Sequence, residues 1–187
     1  MISRRNFVMT TAAFGVVSPR ISSAQQAESF VLPERLMPQI VRVRRELEPG
    51  NLIVSPSKHF LYFILSTGRA MRYGVGVGRA GRDFKGNAII GRKAKWPSWR
   101  PTDAMIEREP EIYARFADGV PGGRNNPLGA RALYLYKNGR DTYYRIHGTN
   151  EPRSIGRSVS NGCIRMLNEH VIDLYDRVQI GAVVTVL

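Results

Sequence analysis

The chain of 187 residues carries a single cysteine, Cys163. It sits in HGTNEPRSIGRSVSNGCIRM, which runs from His147 to Met166. A thiol with a reference pKa of about 8.5 is mostly protonated at neutral pH and attacks poorly. An imidazole within hydrogen-bond reach can take that proton and leave a thiolate–imidazolium pair. Around Cys163 the chain places Arg145, Arg153, Arg157 and Arg165 against one acid, Glu151, so positive charge is at hand to favour a thiolate. Gly162 sets no Cβ in the path of an acyl group approaching the sulfur. The N–H groups at Gly162–Cys163 could hold the oxyanion formed when a carbonyl is attacked. These residue types suit acyl transfer through a thioester. Spacing alone leaves a second reading open: Cys163 as a small buried hydrophobe, with His147 satisfied by its own loop.

The elements that must position these residues read as mainly β, a sandwich or small barrel with a few short helices. IVRVRREL alternates apolar residues with arginines. Leu52–Ser55, Phe60–Leu65 and Met71–Val77 read as an antiparallel meander. Glycines 74, 76 and 78 leave one face of its last strand bare, open to close approach by another segment. Tyr134–Tyr136 and Tyr143–His147 form a hairpin through Asn138-Gly139, so His147 closes a strand. Thr102 caps a short helix running to Glu109. Pro110 opens a second, with Ile112, Tyr113 and Phe116 on one face. Val171, Leu174, Tyr175 and Val178 share a helical face behind Asn168 as cap. AVVTVL ends the chain as a strand. The segment 96–127 could serve as a lid, although its aromatics Trp96, Trp99 and Tyr113 read better as core.

Residues 1–24 should be set aside. Arg4 and Arg5 precede an apolar run from Phe7 to Val17, too short to span a bilayer, and Ser22-Ser23-Ala24 offers small residues for cleavage. SRRNFV resembles a twin-arginine export signal, which implies a periplasmic protein with no integral membrane segment after removal. No stop-transfer pattern supports a retained anchor. Removing its three arginines takes the net charge from +13 to +10. That favours anionic partners, with a carboxylate-rich wall polymer ahead of nucleic acid. Residues 25–48 read as a linker or loosely packed arm. A lone thiol in an oxidising compartment is a liability unless buried or used, and with no second cysteine a redox role is weak.

RIHGTNEPRSIGRSVSNGCIRMLNEHVIDLYDRVQIGAVVTVL resembles the catalytic domain of the L,D-transpeptidases, the YkuD domain. GVGVG, GRKAKWPSW and NPLGARALYLY extend the likeness from Pro49 to Leu187, which sets the expected domain at 49–187. Asn161 stands where many relatives carry histidine, leaving His147 as the base near the sulfur. The resemblance implies Cys163 as nucleophile, His147 as base and the Gly148 carbonyl as the group that orients the ring. Ser160, Gly162 and Arg165 fall on motif positions that support the loop, the oxyanion or a substrate carboxylate. It further implies a peptidoglycan tetrapeptide stem as acyl donor, 3→3 cross-links as product, and no metal or other cofactor. Two enzymatic alternatives share the acyl-enzyme: resolution by water, or by a lysine of a wall-anchored lipoprotein. The non-enzymatic alternative is a wall-binding module with an inert cysteine.

Overall fold

The computed structural model describes residues 30–80 and 84–187. The export signal read at 1–24, and the first residues of the arm, lie outside the described residues. The strands are β1 (Gln39–Arg42), β2 (Leu52–Ser55), β3 (Phe60–Ser66), β4 (Arg69–Gly74), β5 (Val77–Gly78) and β6 (Gly86–Lys95). They continue as β7 (Arg131–Lys137), β8 (Arg140–His147), β9 (Ser158–Ser160), β10 (Ile164–Arg165) and β11 (Val183–Val186). Three α-helices join them: α1 (Asp103–Arg108), α2 (Pro110–Tyr113) and α3 (Asn168–Arg177). The chain is mainly β with few short helices, as the strand pattern predicts.

Nine strands form one mixed sheet in the order β1-β4-β3-β2-β11-β6-β7-β8-β10. The predicted meander is present, with β2, β3 and β4 paired antiparallel. So is the β7–β8 hairpin: Asn138 and Gly139 take φ of 51° and 74°, the left-handed pair that a two-residue turn matched to strand twist requires. The predicted strand Met71–Val77, however, ends at Gly74 and its continuation changes partner. Gly76 exchanges hydrogen bonds of 2.9 and 2.8 Å with Arg165, so the chain after β4 meets the far edge of the sheet at β10. β5 then pairs in parallel with β9. This closure wraps the sheet around a core of Leu52, Val54, Leu61, Leu133, Ile146 and Val184, which α3 covers with Val171 and Leu174.

The glycine reading holds. A Cβ at Gly74 would stand 2.6 Å from the Cβ and carbonyl oxygen of Leu36, and one at Gly76 would stand 2.6 Å from the carbonyl oxygen of Ser154. Leu36 belongs to the segment expected as a loose arm. It is instead 1 % exposed and packs with Leu32, Ile155 and Leu167, while β1 pairs with β4. Burying Leu36 over Gly74, with Leu32 in the same apolar cluster, outweighs the polar composition around them. β1 stops at Arg42 and buries none of its residues, because an edge strand here has no second layer to cover it.

Asn168 is not the cap of α3. It is the first helical residue, its carbonyl Oδ1 accepts the N–H of Ala130 at 2.9 Å, and its Nδ2 donates to the Thr149 carbonyl at 3.1 Å. Two buried loops beside His147 each need a hydrogen-bond partner, and the amide serves both. Thr102 does cap α1, accepting from the Met105 N–H at 3.2 Å.

Gly76→Ala should destabilise the fold by about 1–3 kcal/mol, because the Ser154 backbone cannot swing aside as a flexible side chain could. Urea melts of the two proteins check this.

Candidate active site

The site begins with strand register. β10 lies parallel to β8 with Ile164 opposite Ile146 and Arg165 opposite His147. Residues two apart on a strand share a face, so Arg145 and His147 of β8 and Arg165 of β10 project to one side, and Cys163 comes just before β10. The Met166 N–H donates to the His147 carbonyl at 2.8 Å and locks the register.

His147 is buried, with Nδ1 2.5 Å from the Gly148 carbonyl oxygen. A carbonyl only accepts, so Nδ1 carries the proton and Nε2 is left as the basic nitrogen. Gly148 is glycine for a local reason: a Cβ there would meet Asn168 Oδ1 at 2.3 Å. On the other side, Ser160 braces the turn into Cys163. Its hydroxyl donates to the Cys163 carbonyl at 2.6 Å and accepts the Gly162 N–H at 3.1 Å. That corrects one expectation, since the Gly162 N–H is already spent and the Cys163 N–H is the member of the pair left for an oxyanion. Gly162 itself has φ of 120°, so its backbone needs glycine whatever approaches the sulfur. Arg165 forms an ion pair with Glu151 at 2.5 Å and thereby holds the loop between the two strands.

The electrostatics disfavour the expected ion pair. Burial pushes the Cys163 thiol up, and the hydrogen bond from the Arg145 backbone, then the charges of Arg145 and Arg165, offset this only in part. Burial, Arg165 and Arg145 together lower His147 to about 3, against the Gly148 hydrogen bond. The same guanidiniums that favour a thiolate repel an imidazolium. Both shifts favour the uncharged forms, a thiol at Cys163 and an imidazole at His147. Cys163 is half-buried, and its Sγ lies 3.9 Å from the Tyr143 carbonyl as donor.

Several residues at the site carry no sequence signal of their own. Asn161 donates from Nδ2 to the Tyr113 hydroxyl at 2.6 Å, tying the turn before Cys163 to α2. Trp99 packs against Tyr113 and Phe116 at ring separations of 6.4 and 5.7 Å. The expected core placement of these aromatics is thus corrected: Trp99 and Tyr113 are half-buried in a cluster of their own, and Trp96 is 46 % exposed. Trp96–Pro127 is an excursion between β6 and β7 that reaches back to the cysteine turn, so its aromatics pack on each other. Ile112, predicted on their face, is exposed. His59 bonds Ser158 Oγ at 3.0 Å and His170 lies beside Tyr73, both apart from Cys163. Among the described residues, no three His, Cys, Asp or Glu side chains converge as a metal site.

Residues 49–186 match the family model of the L,D-transpeptidase catalytic domain. The chain is 34% identical over 170 residues to "Probable L,D-transpeptidase ErfK/SrfK" of Salmonella typhimurium, covering 87% of this chain and 50% of that protein. The chain spans about half the length of the curated relatives it matches. A Brucella melitensis structure described as a "Probable carnitine operon oxidoreductase" is 50% identical, with a TM-score of 0.58 over 81% of this chain and 92% of that one. L,D-transpeptidase 3 from Mycobacterium tuberculosis, in complex with a faropenem-derived adduct, shares the fold at 17% identity. Its TM-score is 0.54, over 80% of this chain and 60% of that one.

Two predictions follow from this geometry. Between about pH 6.5 and 3 the unfolded chain binds a proton at His147 that the folded chain refuses. Stability at this position is therefore complete above pH 6.5 and falls as pH drops, by up to about 1.4 kcal/mol per pH unit. His147→Gln should flatten that part of the pH–stability curve in urea melts. Tyr113→Phe should leave the melting midpoint nearly unchanged while speeding tryptic cleavage at Arg108 and Arg115, because the hydroxyl is what ties α2 to Asn161. Unchanged cleavage would count against that tie.

Proposed function

The chain belongs to the L,D-transpeptidase catalytic-domain family, and from that premise we propose that it is an exported acyltransferase of the bacterial wall whose nucleophile is Cys163 and whose base is His147. The observation that carries this reading is the histidine tautomer. Nδ1 lies 2.5 Å from the Gly148 carbonyl, which assigns the proton to Nδ1 and leaves Nε2 as the base. The strand pairing that sets Arg165 opposite His147 puts the chain's sole thiol two residues before that partner.

A neutral resting pair suits the chemistry, because a general base must begin unprotonated. The Cys163 sulfur attacks the carbonyl that joins the L-centre of the diamino acid to the terminal D-alanine of a tetrapeptide stem. His147 Nε2 takes the thiol proton as the S–C bond forms, and the oxyanion faces the Cys163 N–H. Collapse breaks the C–N bond, His147 returns the proton to the departing D-alanine amine, and a thioester remains. An amine of a second stem then attacks, loses its proton to His147 and displaces the thiolate, which is reprotonated. The product is a 3→3 cross-link. Burial and the flanking arginines resist an imidazolium, which makes the protonated ring a strong acid toward the leaving amine.

The residue types favour this substrate. The chain after residue 24 carries +10, and stem peptides are rich in carboxylates. The signal reading of residues 1–24 places the enzyme in the periplasm. Among the described residues, no helix is long and apolar enough to cross a membrane. An oxidoreductase reading gains no support from the thiol, since one cysteine cannot form an intramolecular disulfide.

The purified protein should gain the mass of a faropenem-derived group, and Cys163→Ala should lose that adduct while keeping its urea midpoint. With disaccharide-tetrapeptide, mass analysis should show a dimer lacking one D-alanine. A tripeptide product would instead assign water as acceptor, and product only with an added lipoprotein would assign its lysine. A wild-type protein that stays unmodified by faropenem and inert toward tetrapeptide would defeat the proposal and leave the wall-binding module.

A further inference from the structure

β8 does not run evenly beside β7. Tyr134 pairs with Arg145 and Tyr136 with Asp141, so a single β7 residue, Leu135, faces Thr142, Tyr143 and Tyr144. At the centre of this bulge Tyr143 takes φ of 62°, a conformation that costs a non-glycine residue free energy. Its ring is 71 % exposed, so no aromatic burial offsets the cost. What the bulge does is aim the Tyr143 carbonyl at the Cys163 sulfur. Bulges commonly redirect strand groups beside functional sites.

One carboxylate holds this arrangement. Asp141 Oδ1 accepts the Tyr143 N–H at 2.8 Å, which fixes the turn. The same carboxylate takes Arg145 in a two-pronged pair, Nη1 to Oδ1 at 2.8 Å and Nη2 to Oδ2 at 3.0 Å. The guanidinium is further set by the Tyr144 carbonyl at 3.1 Å and by the Tyr134 ring, 4.4 Å away. Thr142 completes the bulge by donating to the Leu135 carbonyl at 2.7 Å and accepting the Tyr144 N–H at 3.2 Å.

We propose that Asp141 is a positioning residue for Cys163, acting through the Tyr143 carbonyl that receives the thiol and the Arg145 guanidinium that flanks it. The proposal rests on Cys163 being the nucleophile. The charged groups that bear on the sulfur are Asp141 and Arg145 from β8, and Arg165 from β10 with Glu151 paired to it; His147 also lies on β8, opposite Arg165. Tyr113 approaches through Asn161. Asp141 opposes ionisation of the thiol, and Arg145 favours it. Removing the charge of Asp141 and removing that of Arg145 therefore shift the thiol in opposite directions. Asp141→Asn keeps Oδ1 as an acceptor for the Tyr143 N–H but removes the charge that pairs with Arg145, whereas Asp141→Ala loses both.

The test measures two rates on the whole protein: alkylation of Cys163 by iodoacetamide across pH, and acylation by faropenem. Asp141→Asn should move the alkylation midpoint down by about half a pH unit, and Arg145→Gln should move it up. Acylation by faropenem should fall about tenfold in Asp141→Ala and less in Asp141→Asn. Asp141→Glu should restore part of the loss. Variants that melt lower yet keep the wild-type alkylation midpoint and acylation rate would show a merely structural carboxylate and overturn the proposal. The alkylation arm needs no substrate. A wild type that alkylates normally but resists faropenem would therefore count against the transpeptidase reading, while the midpoint shifts still judge Asp141.

Discussion

Everything at the site depends on two residues of β10 pairing in parallel with the end of β8. A parallel pair cannot be joined by a tight turn, so the chain must leave His147, travel through a long loop and return alongside. The loop from Gly148 to Gly162 does this, and its composition fits the journey. Arg165 anchors it to Glu151, and Ser160 braces its exit. A strand of two residues would be weak alone. It is held on its other side by the two-way hydrogen bonds between Arg165 and Gly76, which also close the sheet. The contact that positions the sulfur is thus also the seam of the fold.

Burial at this seam sets the proton inventory. Taking His147 and the thiol out of water disfavours both charged forms, and the arginines split the difference unevenly, helping a thiolate but opposing an imidazolium. Counting positive residues near a cysteine misses that second effect. An un-ionised thiol is also less readily oxidised, because the thiolate is the reactive species.

The surrounding packing explains why several small or polar residues stand where they do. Asn168 fills the space above Gly129 and Gly148, where a Cβ would come within 2.2 and 2.3 Å of its Oδ1. One amide thereby ties the start of α3 to the loops on both sides of His147. The segment before the family-like region performs a similar service at the opposite face. Leu36 fits over Gly74 and packs with Ile155 of the loop between β8 and β10 and with Leu167 before α3, so a segment expected as a loosely packed arm buttresses that loop.

Local patterns determined a good deal of this protein. Alternation gave the β2–β4 meander, Asn138-Gly139 gave the hairpin that ends at His147, and Thr102 gave a helix start, because each depends on neighbours within a few residues. The cysteine–histidine motif pointed to the site for the same reason that it resembles a family: its residue types are fixed by chemistry. The tertiary structure alone decided the charge state of the pair, the fate of the Gly162 N–H, the work of Asn168, the aromatic excursion that reaches Asn161, and the bulge held by Asp141. These depend on which groups meet across the sheet and how far water is excluded. Both are set by pairings between residues distant in the chain, which no local spacing records.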